Sequence, residues 1–304
     1  MRGWQASAVL GAVATALGCS APKGDALGPG GPMGPGTGSG SSSVVGGSGG
    51  SPVIIDTGTD TSTSAQPCNN LLAITLRDFS EAHPDFEQDP QTMAADVRRG
   101  MVDVPLGTDR KPIFRDGFGC IYDPSSVLDC DTTKPAPEHP SITSQASFDQ
   151  WYRDDPSVNQ TFQRELPLVE TPAGSGVYVF DTTAFFPLGP EEGWGVTPPG
   201  NTLGQNFLFT TEVHLLFTYQ TGQVFTFRGD DDLWIFVNGW LAVDLGGTHY
   251  KREGTLDFDA QAERLGLQPG LEYPMDIFHA ERHTAESNFR VETNINCFTS
   301  VEVR

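Results

Sequence analysis

The chain is poor in positive charge. Its 304 residues hold 18 Lys+Arg against 39 Asp+Glu, a formal net charge of −21. Phosphate recognition needs clustered Lys and Arg, so no nucleic-acid partner is expected. There is no nucleotide-binding glycine loop and no internal repeat. Cysteine is scarce, five in all, and no Cys-x-x-Cys pair occurs, which speaks against structural zinc. Long apolar runs are missing too. The stretch Ala6 to Leu17 is too short to cross a bilayer as a mature helix. From Ser20 to Gln66 large apolar residues nearly vanish, and Gly, Ser, Pro and Thr take over. Such a stretch buries no core and reads as a disordered tether, about 35–40 Å in root-mean-square length. Its Gly-Pro pairs keep no sustained three-residue period, so collagen is excluded.

What is present begins with a targeting segment. Arg2 precedes the apolar stretch, which ends in Ala16-Leu17-Gly18-Cys19. Small residues before a Cys resemble a bacterial lipoprotein signal, with Cys19 as the lipidated residue. Residues 1–19 are therefore expected to be a lipoprotein-type signal peptide, 20–66 the linker and 67–304 a folded domain. The expected location is the bacterial cell surface, lipid-anchored at the outer membrane, or the extracellular space. An oxidising compartment turns the other four cysteines toward disulfides, for which three pairings exist. Cys120–Cys130 closes a short loop, and Cys68–Cys297 clasps the ends of the domain; these two are the expected pairs.

Short apolar runs with turn signals between them predict an antiparallel β-sandwich, with a few short helices in the connections. Strands are expected at 71–76, 177–180, 185–186, 212–219, 224–227, 255–258, 272–278 and 289–295, with short helices at 91–97, after Ser147 as N-cap, and from 259 to Gly266. The centre of the pattern is 224–249. Val224 to Phe227 alternates, Leu233 to Val237 is continuously apolar, and Asn238-Gly239 marks a tight hairpin turn. Between the first two runs stand Asp230, Asp231 and Asp232. Three adjacent carboxylates repel unless water screens them or a cation binds them, and an oxygen-seeking ion such as Ca²⁺ removes that cost. The bland alternative is a solvated acidic turn.

An ordered set of segments resembles the fibro-slime domain, a branch of the PA14 family. They are Leu76-Arg-Asp-Phe79 with His83-Pro-Asp-Phe86, Phe148-Asp-Gln-Trp-Tyr152, Phe185-Phe-Pro-Leu188, Asn206-Phe-Leu-Phe-Thr210, Gly229-Asp-Asp-Asp-Leu-Trp-Ile-Phe-Val-Asn-Gly239, Asp244-Leu-Gly-Gly-Thr-His249 and Ala280-Glu-Arg-His-Thr284 with Ser287-Asn-Phe289. The resemblance implies a PA14-like β-sandwich of surface, slime or adhesin proteins. Some PA14 lectins hold a sugar through Ca²⁺ on an Asp-Asp pair joined by a cis peptide, with further ligands from a later loop. Asp230-Asp231 fall on that pair. Asp232 stands where those lectins usually have Gly, which leaves open which two carboxylates act. The later loop is 280–288, with Asn288 the nearest match to the lectin Asn and Glu281 a chemically sound substitute.

The expected metal set is thus Asp230, Asp231, Asp232, Glu281 and Asn288, with calcium as cofactor. Trp240, just after the turn, and Trp194, in a Gly/Pro-rich loop, are candidates to stack on a sugar ring. His249 and His283 are candidate ligand contacts, each weighed against a packed or ion-paired role. The function these residues suggest is a non-catalytic surface module binding carbohydrate or matrix polymer. The alternatives are a glycoside hydrolase acting through Asp232 and Glu281, and a purely structural calcium-stabilised matrix protein.

Overall fold

The computed structural model describes residues 70–87, 97–122, 130–135, 142–284 and 286–303. All of them belong to one compact unit, Asp60–Arg304. Cys19, Cys68, the signal segment, the linker and residues 91–96 of the expected helix lie outside the described residues.

In chain order the elements are β1 (Leu71–Phe79), β2 (Val97–Arg99), β3 (Cys120–Tyr122), α1 (Gln145–Phe148), β4 (Asn159–Pro167), β5 (Val169–Glu170), β6 (Tyr178–Thr182), β7 (Phe209–Thr218), β8 (Val224–Gly229), β9 (Asp232–Val237), β10 (Trp240–Leu245), β11 (Arg252–Asp257), α2 (Phe258–Leu265), β12 (Glu272–Glu281), β13 (Phe289–Thr293) and β14 (Thr299–Ser300). The larger sheet runs β10-β9-β12-β7-β1-β4, with β14 also on β7, and the smaller runs β11-β8-β13-β6-β5. Every ladder is antiparallel, so the fold is the expected antiparallel β-sandwich.

Side-chain alternation explains the layering. In β8 and β13 alternate residues are buried, Phe225 and Phe227 against Phe289 and Val291, as befits a sheet with one wet face. In β9 every residue is buried. Its odd positions, Leu233, Ile235 and Val237, join the core between the sheets, with Val213, Leu215, Met275 and Ile277. Its even positions, Trp234 and Phe236, join a second core with Phe278, Met101, Phe114, Phe148 and Trp151. The described residues between 79 and 152, among them Phe79, Phe86, Met101, Phe114 and Trp151, thus form a cover on the outer face of the large sheet. A continuous apolar run is what a strand needs when both faces are dry.

Several sequence expectations shift. Val97 belongs to a strand, not a helix. Phe185-Phe186 is not a strand; both rings pack as loop residues, Phe185 stacked on Phe289. Ser144, not Ser147, caps α1; Ser147 is the third helical residue and returns the bond to the Ser144 amide. Helix α2 begins at Phe258 with Asp257 as cap and ends at Gly266, φ 68°. The strand β4 carries no apolar pattern and went unforeseen. The Asn238-Gly239 turn has φ 52° and 77°, both positive as the tight hairpin demands. The Cys120–Cys130 disulfide is formed, and Cys297 is also disulfide-bonded.

Candidate functional site

The ladders bring four strands, β1, β7, β12 and β9, together at one end of the large sheet. Asp78 pairs with Phe209, Phe209 with Glu281, and Ala280 with Asp232. The turn from β8 to β9 sits there, and its Asp230–Asp231 peptide bond is cis. Gly229 is required at its start, because a Cβ there would press on the Asn288 carbonyl.

Each carboxylate has its own setting. Asp230 accepts from Asn288 twice, from the backbone N–H at 2.6 Å and from Nδ2 at 2.8 Å. Its backbone carbonyl accepts from His279 Nε2 at 2.8 Å. Asp231 accepts from the backbone N–H of His249 at 3.0 Å and of Arg282 at 3.1 Å. Asp232 accepts from the Gly247 N–H at 2.5 Å and from Arg282 Nε at 2.6 Å. The Arg282 guanidinium also donates to the Asp85 carbonyl and lies 4.7 Å from the Trp151 ring centre. Asp232 is therefore neutralised by a buried cation on the cover side.

Glu281 differs. It is 0 % exposed, and among the described residues no donor meets either carboxylate oxygen in good hydrogen-bond geometry. Burial first, then the charges of Asp231 and Asp230, push its pKa well up; the nearby Ser287 hydroxyl and His283 amide offset only part of this. Burial likewise raises Asp230, and pushes Asp231 to about 8 despite the attraction of Arg282. Strand alternation separates two of the candidates. Asp232 pairs with Ala280, whose side chain is on the cover side, so the next residue, Glu281, points to the opposite face of the sheet.

These residues form a donor set of the right chemistry for Ca²⁺, which takes six to eight oxygens and tolerates irregular geometry. Glu281 suits such an ion best: it is a buried carboxylate beside Asp230 and Asp231, and among the described residues no cation pairs with it. Among the described residues no three His, Cys, Asp or Glu groups are already drawn together around one point. The remaining oxygens would come from Asn288, backbone carbonyls and water.

Beside Asn288 opens a cavity of about 540 Å³, walled by Phe186 and Leu203, with Gln205, Lys251 and Glu286 on its polar side. Of these five only Phe186 stands in a segment that the sequence marked, and there as a strand residue; the other four give no signal, because the cavity joins loops far apart in the chain. Leu203 is more than half exposed.

The aromatic and histidine candidates divide. Trp240 starts β10, beyond the far end of β9, roughly 17 Å along the strand from Asp232; the structure does not bring it to the acidic turn. Trp194 lies in a loop at the site end, its backbone N–H donating to Asp78 at 2.5 Å, and the residue is about half exposed. His249 is buried, its ring nitrogens facing the Tyr250 and Leu245 carbonyls, so its ring packs and only its backbone N–H reaches Asp231. His283 stands 3.8 Å from Glu87. His279, missed in the sequence reading, is the ring that fixes the Asp230 carbonyl, and it is enclosed by Phe185, Phe209, Phe227 and Phe289. Asn159, which opens a sequon pattern, is buried, with its amide donating to the Gln150 and Arg153 carbonyls.

Fold and site together define an antiparallel β-sandwich with a buried acidic turn next to an open cavity. No family model matches the chain. It is similar to psi proteins of Dictyostelium discoideum. It is 33% identical to psiD over 234 residues, 76% of this chain and 42% of that protein. It is 34% identical to psiC over 229 residues, 74% and 41% respectively. It is 32% identical to psiR over 235 residues, 74% and 21%. The chain thus spans less than half the length of these curated relatives. A solved β-glucosidase from Kluyveromyces marxianus in complex with glucose aligns over 31% of this chain and 11% of its own, at 13% identity and a TM-score of 0.20; a score that low carries no argument.

Proposed function

We propose that the chain is a non-catalytic surface module of the fibro-slime, PA14-like kind. In this reading it is lipid-anchored through Cys19 and binds carbohydrate or matrix polymer through calcium held by Asp230, Asp231, Glu281 and Asn288. The observation that carries the reading is the orphaned Glu281 carboxylate facing two further buried acids. A divalent cation supplies the charge this cluster lacks, and a bound Ca²⁺ can also accept hydroxyl oxygens from a sugar. The cavity beside Asn288 offers a sugar both an apolar wall, Phe186 and Leu203, and polar partners, Gln205, Lys251 and Glu286. Asp232 drops out of the ligand set because Arg282 already holds it.

A second reading has its own support. Asp230, Asp231 and Glu281 are all buried, which suits a closed, purely structural calcium site. The hydrolase alternative finds less support: Asp232 and Glu281 lie on opposite faces of the sheet and neither is exposed, so they flank no common cleft.

The deciding experiment is calorimetric titration of Ca²⁺ into the full chain, followed by a glycan array with and without EDTA. Calcium binding with an EDTA-sensitive glycan signal supports the adhesive module. Calcium binding without a glycan signal moves the assignment to the structural role. Absence of calcium binding reduces Asp230 to Asp232 to an acidic turn.

A further inference from the structure

A second polar cluster lies on the outer face of the large sheet, away from the acidic turn. Its centre is His214 on β7, flanked by Glu212 on the same strand and by Asp276, its ladder partner on β12. His214 Nδ1 is 2.5 Å from Asp276 Oδ1, and its Nε2 contacts Glu212 Oε1. From the cover, Lys111 Nζ reaches Glu212 Oε1, and Arg110 reaches Asp276 at 2.5 Å. From β1, Arg77 reaches Glu212 at 2.5 Å and Asp154 at 2.9 Å. Behind them Asp109 pairs with Arg153. Phe278 lies edge-on to the imidazole, and the buried Tyr152 packs against Phe278 near Glu212. Glu212, Asp276 and His214 are all buried.

Both nitrogens of one imidazole thus meet carboxylate oxygens. A neutral ring has one N–H and one lone pair, so it satisfies one carboxylate and repels the other. Only the imidazolium donates to both. The three anions Glu212, Asp276 and Asp154 already meet the cations Arg77, Arg110 and Lys111, the last with its pKa lowered by burial, so the extra proton is held by this two-sided geometry rather than by a shortage of positive charge.

We propose that His214 is a protonated latch: as an imidazolium it holds the turn at residues 107–111 onto the sheet through Glu212 and Asp276, and its deprotonation releases that turn. The carriers of the latch are Arg110 and Lys111, which sit in a turn closed by the Gly107 and Lys111 backbone and by the positive φ of Arg110, 57°. When the ring loses its proton, one lone pair faces a carboxylate that also anchors Lys111 or Arg110, and that anchor loosens. Burial by itself lowers the His214 pKa, but the bonds to Asp276 and Glu212 outweigh it and the net direction is upward. A folded-state value above the unfolded one places the stabilisation in full below about 6.5 and removes it as pH rises through the folded value. The device therefore opens on the alkaline side.

The test is long-range proton–nitrogen NMR of the His214 ring in the full chain from pH 5.5 to 9, with amide exchange followed over residues 103–116. Both ring nitrogens are expected to be protonated at pH 7. Exchange in 107–111 is expected to rise at least tenfold through the same transition that deprotonates the ring. His214→Gln should remove that pH step while leaving a stable fold; should that variant fail to fold, Asp276→Asn should move the wild-type transition to lower pH. A neutral tautomer at pH 6.5, or an exchange step that persists unchanged in His214→Gln, overturns the latch. So does a transition unmoved in Asp276→Asn.

Discussion

Two carboxylates separated by one peptide-bond register have opposite fates here. Asp232 has Arg282, and Glu281, one position along the neighbouring strand from Asp232's partner, has no cation beside it among the described residues. Replacing Glu281 with Gln removes an ionisable buried carboxyl but keeps the shape. In EDTA at pH 8 the thermal midpoint of Glu281→Gln is expected to be no lower than wild type. Calcium affinity is expected to fall tenfold or more, about 1.4 kcal/mol. Scanning calorimetry with and without calcium reads both, and an equal drop in the two conditions would count against a metal at this position. Asp230→Ala with Asp231→Ala should lower the midpoint in calcium but not in EDTA. The acidic turn was legible because like charges in sequence must answer to something. Its partners were less so: Glu281 and Asn288 came only by resemblance, and His279 reads in sequence as an ordinary strand histidine. Lys251, Leu203 and Gln205 give no signal, since their meeting is a product of loop placement.

Elements announced themselves to the extent that their pattern was hydrophobic. β8, β9 and the β9–β10 turn follow from alternation, a continuous apolar run and Asn-Gly. The polar strand β4 escaped because its order comes from pairing with β1 along its whole length, not from its own burial. Phe185-Phe186 misled for the opposite reason: aromatic residues favour strands, but these rings fill space from a loop. Helix α2 rests on its Asp257 cap, which accepts from the Ala260 N–H at 3.1 Å. Asp257→Ala should cost about 1 kcal/mol, a shift of roughly 2–4 °C in midpoint for a domain of this size. The loop carrying Trp194 depends on Gly193, whose φ is 58° and whose added Cβ would collide with the Asp78 carboxylate. Gly193→Ala should therefore lower the midpoint by more than the Asp257 change. It should also raise amide exchange at 189–206 well above that of the strands; an unchanged exchange pattern would show that Asp78 does not hold this loop.

For the molecule as a whole, calcium acts by mass action. If the acidic turn binds the ion only when folded, stability grows by about 1.4 kcal/mol for each tenfold rise in free calcium above the dissociation constant. A calcium series in thermal unfolding of the full chain should show this rise. Magnesium, which keeps its waters and prefers a strict octahedron, should give a much smaller one. The two margins of the large sheet suggest one more consequence. At the β10 margin the backbone is tied down, because Arg98 bonds to Gly246 and Leu241 bonds to Val104. At the β4 margin the outward residues Thr161, Gln163 and Glu165 are exposed, and the strand ends in Pro167, which has no N–H to offer. An edge built of polar and charged side chains and closed by proline resists recruiting a further strand. Many copies crowded side by side would thus stay separate units and not grow into a fibre by sheet extension.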